Sequence, residues 1–135
     1  MARNDEGHGF DRRGNGGYTK YMNKCSSVQR KRLPSPDEAA FIVELFKTMG
    51  EDTRLALLCR LQEREYQVTE LAETTGHTVS AVSHQLRLLR HVHLVRTRRE
   101  GRNIFYALDD EHVGDLIDVA LAHVREKARR GSSPG

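Results

Sequence analysis

Four side chains near the C-terminus are spaced as metal ligands. Asp110 and His112 stand two apart, and His123 and Glu126 stand three apart. Imidazole nitrogen and carboxylate oxygen are donors that zinc accepts. A helix over this stretch puts His123 and Glu126 on one face. It also returns His112 and His123 to one face, because eleven residues close on about three turns. The two pairs then lie about 16 Å apart along the axis, at 1.5 Å per residue. One ion cannot bridge that distance, so the pairs are expected to be half-sites. An antiparallel copy of the helix across a two-fold axis would complete two four-ligand sites per dimer. A plainer reading stays open, with Asp110 as a helix cap and two histidines on a polar surface.

A second set of residues suits nucleic acid. Ser80, Ser83, His84, Gln85, Arg87 and Arg90 fall on the polar side of one predicted helix. Hydroxyls and amides near a helix N-terminus can reach base edges, and Gln85 could take adenine through two hydrogen bonds. Arg87 and Arg90 suit phosphates. Arg96, Arg98, Arg99 and Arg102 follow, against the single acid Glu100. Phosphate contacts position a protein on DNA, and base contacts specify the sequence. Alone, a solvated helix face and a charged hairpin would look the same.

These residues need elements to hold them. Ser35-Pro36-Asp37-Glu38 is a capping box with proline at the first helical position. Phe41, Ile42, Leu45 and Phe46 then share a face, and Gly50 ends the helix. Asp52 is expected to cap a second helix, with Leu55, Leu57, Leu58 and Leu61 as its apolar residues. Thr69 is expected to open a short third helix that Gly76 stops. Thr78 opens a fourth, to about His91, with Val82, Leu86 and Leu89 inward. Residues 95–99 and 103–108 read as strands around the turn Glu100-Gly101-Arg102. Asp110 opens a long last helix, whose apolar residues are Val113, Leu116, Ile117, Ala120, Leu121 and Val124. The fold class is therefore mainly α with one β-hairpin. Helices three and four make a helix-turn-helix and the hairpin a wing, which together form a DNA-binding arrangement.

Composition narrows the classes. The chain has 135 residues, enough for one domain with its own core, placed at residues 33–130. Residues 1–32 carry a net charge of +5 and the remainder −2. That glycine-rich first segment has too few aliphatic side chains to order itself, so a flexible basic tail is expected. It could be inert, graze DNA, or lend His8 or Cys25 as an extra ligand. Residues 131–135 form a second short tail. Two cysteines cannot make a disulfide scaffold, and a reduced, cytoplasmic chain is expected. Cys59, within Leu57-Leu58-Cys59-Arg60-Leu61, is expected as a small buried core thiol. No apolar run reaches membrane-spanning length and no signal peptide opens the chain, so no membrane partner is expected. There is no glycine-rich phosphate loop and no nucleophile–base pair. Four ligands at a helix seam would leave zinc no open position, so an enzyme is not expected.

The run Val79-Ser80-Ala81-Val82-Ser83-His84-Gln85-Leu86, with Leu89, His93-Leu94-Val95, Glu100-Gly101-Arg102 and Tyr106-x-Leu108, resembles the ArsR/SmtB metal-responsive repressors. Phe46-Lys47-Thr48-Met49-Gly50 and Thr53-Arg54 fit the start of that pattern, and the resemblance spans about residues 37–127. The last helix is most similar to the zinc-sensing branch typified by SmtB and CzrA. The resemblance implies a homodimeric repressor that binds operator DNA at an inverted repeat and lets go when metal binds. It implies Asp110, His112, His123 and Glu126 as the ligands of zinc, with cobalt or nickel as alternatives. It also implies a link from the free ring nitrogen of His123 to a backbone carbonyl near His93, in the turn into the wing. Many relatives carry a cysteine pair at the start of the third helix, but residues 66–71 here contain no thiol, so an arsenite, cadmium or lead site is not expected there. His77, His91 and His93 lack metal spacing. Two other functions remain open: a winged-helix regulator answering a non-metal signal, and a zinc-binding protein without a role at DNA.

Overall fold

The computed structural model describes residues 33–131. Helix α1 (Pro36–Met49) opens with the expected capping box. The Glu38 N–H donates to Ser35 Oγ at 3.1 Å, and the Ser35 N–H donates to Glu38 Oε2 at 2.7 Å. Helix α2 (Asp52–Glu63) starts differently from expectation. Asp52 is its first helical residue, and Glu51 is the cap, with Oε1 accepting from the Arg54 N–H at 2.9 Å. Helix α3 (Val68–Thr75) also begins one residue before the expected Thr69. Its cap residue is Gln67, whose N–H donates to Glu70 Oε1 at 2.9 Å. Gly76 ends α3 in the left-handed region, at φ +76°. Helix α4 (Val79–His91) is capped by Thr78, whose Oγ1 accepts from the Ala81 N–H at 3.0 Å.

Strands β1 (Val95–Glu100) and β2 (Asn103–Leu108) pair antiparallel, from Val95 opposite Leu108 to Glu100 opposite Asn103. The connecting turn is Gly101-Arg102, with positive φ at Gly101, which suits a two-residue hairpin. Tyr66 adds a bridge beside β2. Its N–H donates to the Tyr106 carbonyl at 3.1 Å, and the Tyr106 N–H donates back at 2.8 Å. The Asp109 N–H donates to the Leu94 carbonyl at 3.0 Å and closes the base of the hairpin. Helix α5 (Glu111–Arg129) follows. Among the described residues no helix is long and apolar enough to cross a membrane.

Residues Pro34–Gly114 form one compact unit, and α5 from Asp115 onward belongs to a second. The core of the first holds Leu57, Leu58, Leu71, Val82, Leu86, Leu89 and Leu94, all fully enclosed. Two expectations fail here. Leu55 is exposed and so is Cys59, which is not a core thiol. The helical period explains both, because they stand one turn apart, on the side of α2 opposite Leu57 and Leu61. The apolar face of α1 exists at the expected spacing, yet Phe41 (67%), Ile42 (44%) and Phe46 (54%) are exposed. In α5, Val113 and Ile117 are buried while Leu116, Leu121 and Val124 are exposed.

The junction between α4 and β1 is a two-bond cap. The His93 N–H donates to the Arg90 carbonyl at 3.0 Å, and the Leu94 N–H donates to the Leu89 carbonyl at 2.9 Å. This is the Schellman pattern, with buried Leu89 and Leu94 as its apolar pair. It requires left-handed backbone at His93, where φ is +60°. A residue with a Cβ costs about 1–2 kcal/mol in that region. His93→Gly should therefore preserve or raise the urea midpoint, while His93→Val should lower stability. A lowered midpoint in the glycine variant would contradict this account of the junction.

Candidate nucleic-acid interface and metal half-sites

One side of α4 carries the core residues, which turns another side outward. Ser80, His84 and Arg87 are exposed and share a stripe. His91, which lacks metal spacing, continues it, exposed and one turn beyond Arg87. Ser83 (half-buried) and Arg90 (exposed) flank this stripe. Gln85 does not belong to it. It lies about 140° round the helix from Ser80 at 3.6 residues per turn. It is half-buried, and its Oε1 accepts from Arg54 Nη1 at 2.9 Å. The adenine contact anticipated for Gln85 needs that same oxygen.

The wing arginines differ from one another. Arg98 donates to Glu65 Oε1 from Nη2 at 2.6 Å and from Nε at 3.0 Å. Its Nη1 donates to Glu100 Oε1 at 2.9 Å, and its guanidinium stacks 4.7 Å from the Phe105 ring centre. The hydrogen bond from Arg98 holds the Glu65 carboxyl below the usual carboxylate range. The same bonds to Glu65 and Glu100 push the Arg98 guanidinium further up. Arg98 thus ties β1 to the α2–α3 connection. Arg99 stands on the other face of the hairpin opposite Ile104, and Arg102 sits in the turn, both exposed. Glu65 belongs to no motif, and Arg54 enters the sequence reading only within the family pattern, with no role attached. Their partners lie 33 and 31 residues away, beyond any helical or strand period.

Asp110 has two roles at the start of α5. Its Oδ1 accepts from the His112 N–H at 2.9 Å, and its Oδ2 lies 3.4 Å from His112 Nδ1. Both side chains are exposed. Gly114 brings this first turn close to α2, with its carbonyl 3.3 Å from Gln62 Nε2. A Cβ at Gly114 would meet that amide nitrogen at 3.4 Å. On the second unit His123 is exposed. Glu126 is 17% exposed and pairs with Arg129 Nη2 at 2.6 Å and Arg130 Nη2 at 3.1 Å. Among the described residues of one chain, no three histidine, cysteine, aspartate or glutamate side chains converge as a metal site. His93 contributes an exposed side chain and its left-handed backbone. His8, Cys25 and both tails, apart from Gly131, lie outside the described residues.

The family model for bacterial regulatory proteins of the arsR family matches residues 51–97, from the cap of α2 into β1. The transcriptional repressor SmtB homolog of Synechocystis sp. is 41% identical over 106 residues, covering 78% of this chain and 80% of that protein. The chain belongs to the ArsR family. The antimony-specific transcriptional repressor AntR superposes with a TM-score of 0.64 at 36% identity, covering 76% of this chain and 94% of that one. The homodimeric winged helix-turn-helix DNA-binding domain of Mb0332 from Mycobacterium bovis superposes with a TM-score of 0.59 at 29% identity, covering 71% and 90%. Helix α4 and the hairpin are therefore the second helix of the helix-turn-helix and the wing of an ArsR/SmtB-family transcriptional regulator, and the chain is not an enzyme.

The Glu65–Arg98 pair makes a pH prediction. A carboxyl held low in the fold stabilises it above the ordinary carboxylate range, and that stabilisation is lost as pH falls through the lowered value. Urea midpoints of the natural chain and Glu65→Gln should differ by a constant amount between pH 7 and about 5. The gap should close in more acidic buffer. A gap that widens on acidification would contradict the pairing.

Proposed function

We propose that this ArsR-family protein is a cytoplasmic metal-sensing repressor. It holds operator DNA as a homodimer and releases it when zinc, or alternatively cobalt or nickel, is bound. The observation that carries the metal reading is the Asp110–His112 pair. One carboxylate oxygen closes the helix N-terminus while the other sits beside an exposed imidazole. Two hard-to-borderline donors are thus already side by side before any ion arrives. His123 and Glu126 of a second copy supply the other two. Binding there competes with Arg129 and Arg130 for the Glu126 carboxylate.

The exposed apolar side chains of α1 and α5 support the second copy, since each face is spaced for burial and lacks cover among the described residues. Two reading helices related by a two-fold axis fit an inverted repeat with half-sites about one DNA turn apart. Ser80, His84 and Arg87 face the groove, with Ser83 and Arg90 beside them. Arg99 and Arg102 contact phosphates from the wing. Metal binding lowers operator affinity only by favouring one dimer arrangement over another. His123 carries that preference through its free ring nitrogen to a backbone carbonyl near His93. A regulator answering a non-metal signal is the second reading. It is favoured by the Glu126 ion pairs, which account for that carboxylate without a metal.

Mixing variants separates the two. His112→Ala and His123→Ala should each lose tight zinc binding as homodimers. Mixed dimers should regain one site, built from Asp110 and His112 of one chain and His123 and Glu126 of the other. No recovery on mixing would contradict the shared site. For DNA, Arg99→Ala should weaken all sequences alike and lower the salt slope by about 0.9 per lost phosphate contact. A change of base preference in that variant would contradict the phosphate role.

A further inference from the structure

Arg54 of α2 reaches both α1 and the reading helix. Its side chain is 17% exposed. Nε donates to the Thr48 carbonyl in the last turn of α1 at 2.6 Å, and Nη1 donates to Gln85 Oε1 on α4 at 2.9 Å. Glu51, the cap of α2, lies 3.9 Å from the same guanidinium. One planar group therefore joins three helices. A planar fork loses little rotamer freedom for each bond it makes, which suits it to fix an angle. The apolar stripe Val82–Leu86–Leu89 sets the depth of α4, but a stripe of methyl groups resists rotation about the helix axis only weakly. A directional hydrogen bond at the flank of the stripe resists it well.

We propose that Arg54 and Gln85 form a strut that sets the rotation of the reading helix, so that Arg54 is a positioning residue for operator recognition and Gln85 is its anchor. This rests on the operator-binding reading above. The strut directs Ser80, His84 and Arg87 into the groove from the opposite flank. Because its other end is on α1, it also ties the reading angle to the helix whose apolar face awaits a second copy. The specificity of the protein then depends on two residues that touch no base.

The test uses the full chain and a pool of randomised DNA duplexes. Duplexes selected by the natural protein define its preferred sequence, and a scrambled duplex measures non-specific affinity. Arg54→Met and Gln85→Leu should each reduce the ratio of specific to non-specific affinity by about tenfold, the order of a coupling between contacting residues. The double variant should lose no more than either single one, because both cut the same strut. Urea midpoints separate this loss from unfolding, and if Arg54→Met does not fold, Gln85→Leu still carries the test. Gln85→Glu keeps an acceptor for Arg54 but has no amide to donate. It should retain the natural base profile, with all affinities lowered together by its charge. A changed profile at one base pair in Gln85→Glu would make Gln85 a base reader and overturn the strut. Additive losses in the double variant, or single variants with an unchanged ratio, would overturn it as well. A natural chain with no preferred duplex would overturn the operator reading and the strut together.

Discussion

Burial of Val82, Leu86 and Leu89 is the constraint on which the rest of the first unit depends. These three side chains point α4 into a core built from Leu57, Leu58 and Leu71. A helix with one side committed inward presents the opposite side outward, and the Arg54–Gln85 bond narrows the rotation that the stripe leaves open. The exposed row of Ser80, His84, Arg87 and His91 is the complement of that stripe. Removing a methyl group from the core would therefore act on DNA recognition as well as on stability, since packed interiors transmit displacement.

Polar contacts add the directional part. The backbone bridge between Tyr66 and Tyr106 fixes the hairpin to the α2–α3 connection, and Arg98 reinforces it through Glu65. The Schellman cap at His93 fixes the angle at which the wing leaves α4. The wing is thus held to α4 through the His93 cap and to the α2–α3 connection through Tyr66 and Glu65. Of the wing cations, Arg98 is spent on internal structure, while Arg99 and Arg102 extend outward. A charge count over the hairpin cannot distinguish these uses.

Element types and order were legible because they rest on local rules. The capping box at Ser35, the threonine cap at Thr78 and the glycine stops act within a few residues of themselves. Helix starts slipped by one residue at Glu51, whose side chain reaches the first turn, and at Gln67, whose N–H is held by the Glu70 carboxylate. Leu55 and Cys59 were misjudged because α2 is apolar on more of its circumference than it buries. The strut and the Arg98–Glu65 pair were illegible because each joins residues more than 30 apart. The apolar faces of α1 and α5 posed a different problem. The sequence shows the spacing, but burial among the described residues does not account for it.

In the proposed repressor metal and DNA meet in a two-fold dimer, and the coupling between them is the central claim. Anisotropy of a labelled preferred duplex, titrated with the full-length protein in chelator and in excess zinc, measures it directly. The account predicts weaker binding with zinc, by roughly 5- to 150-fold as is typical of such coupling, and recovery on adding chelator. Unchanged operator affinity with zinc bound at one ion per chain would contradict it.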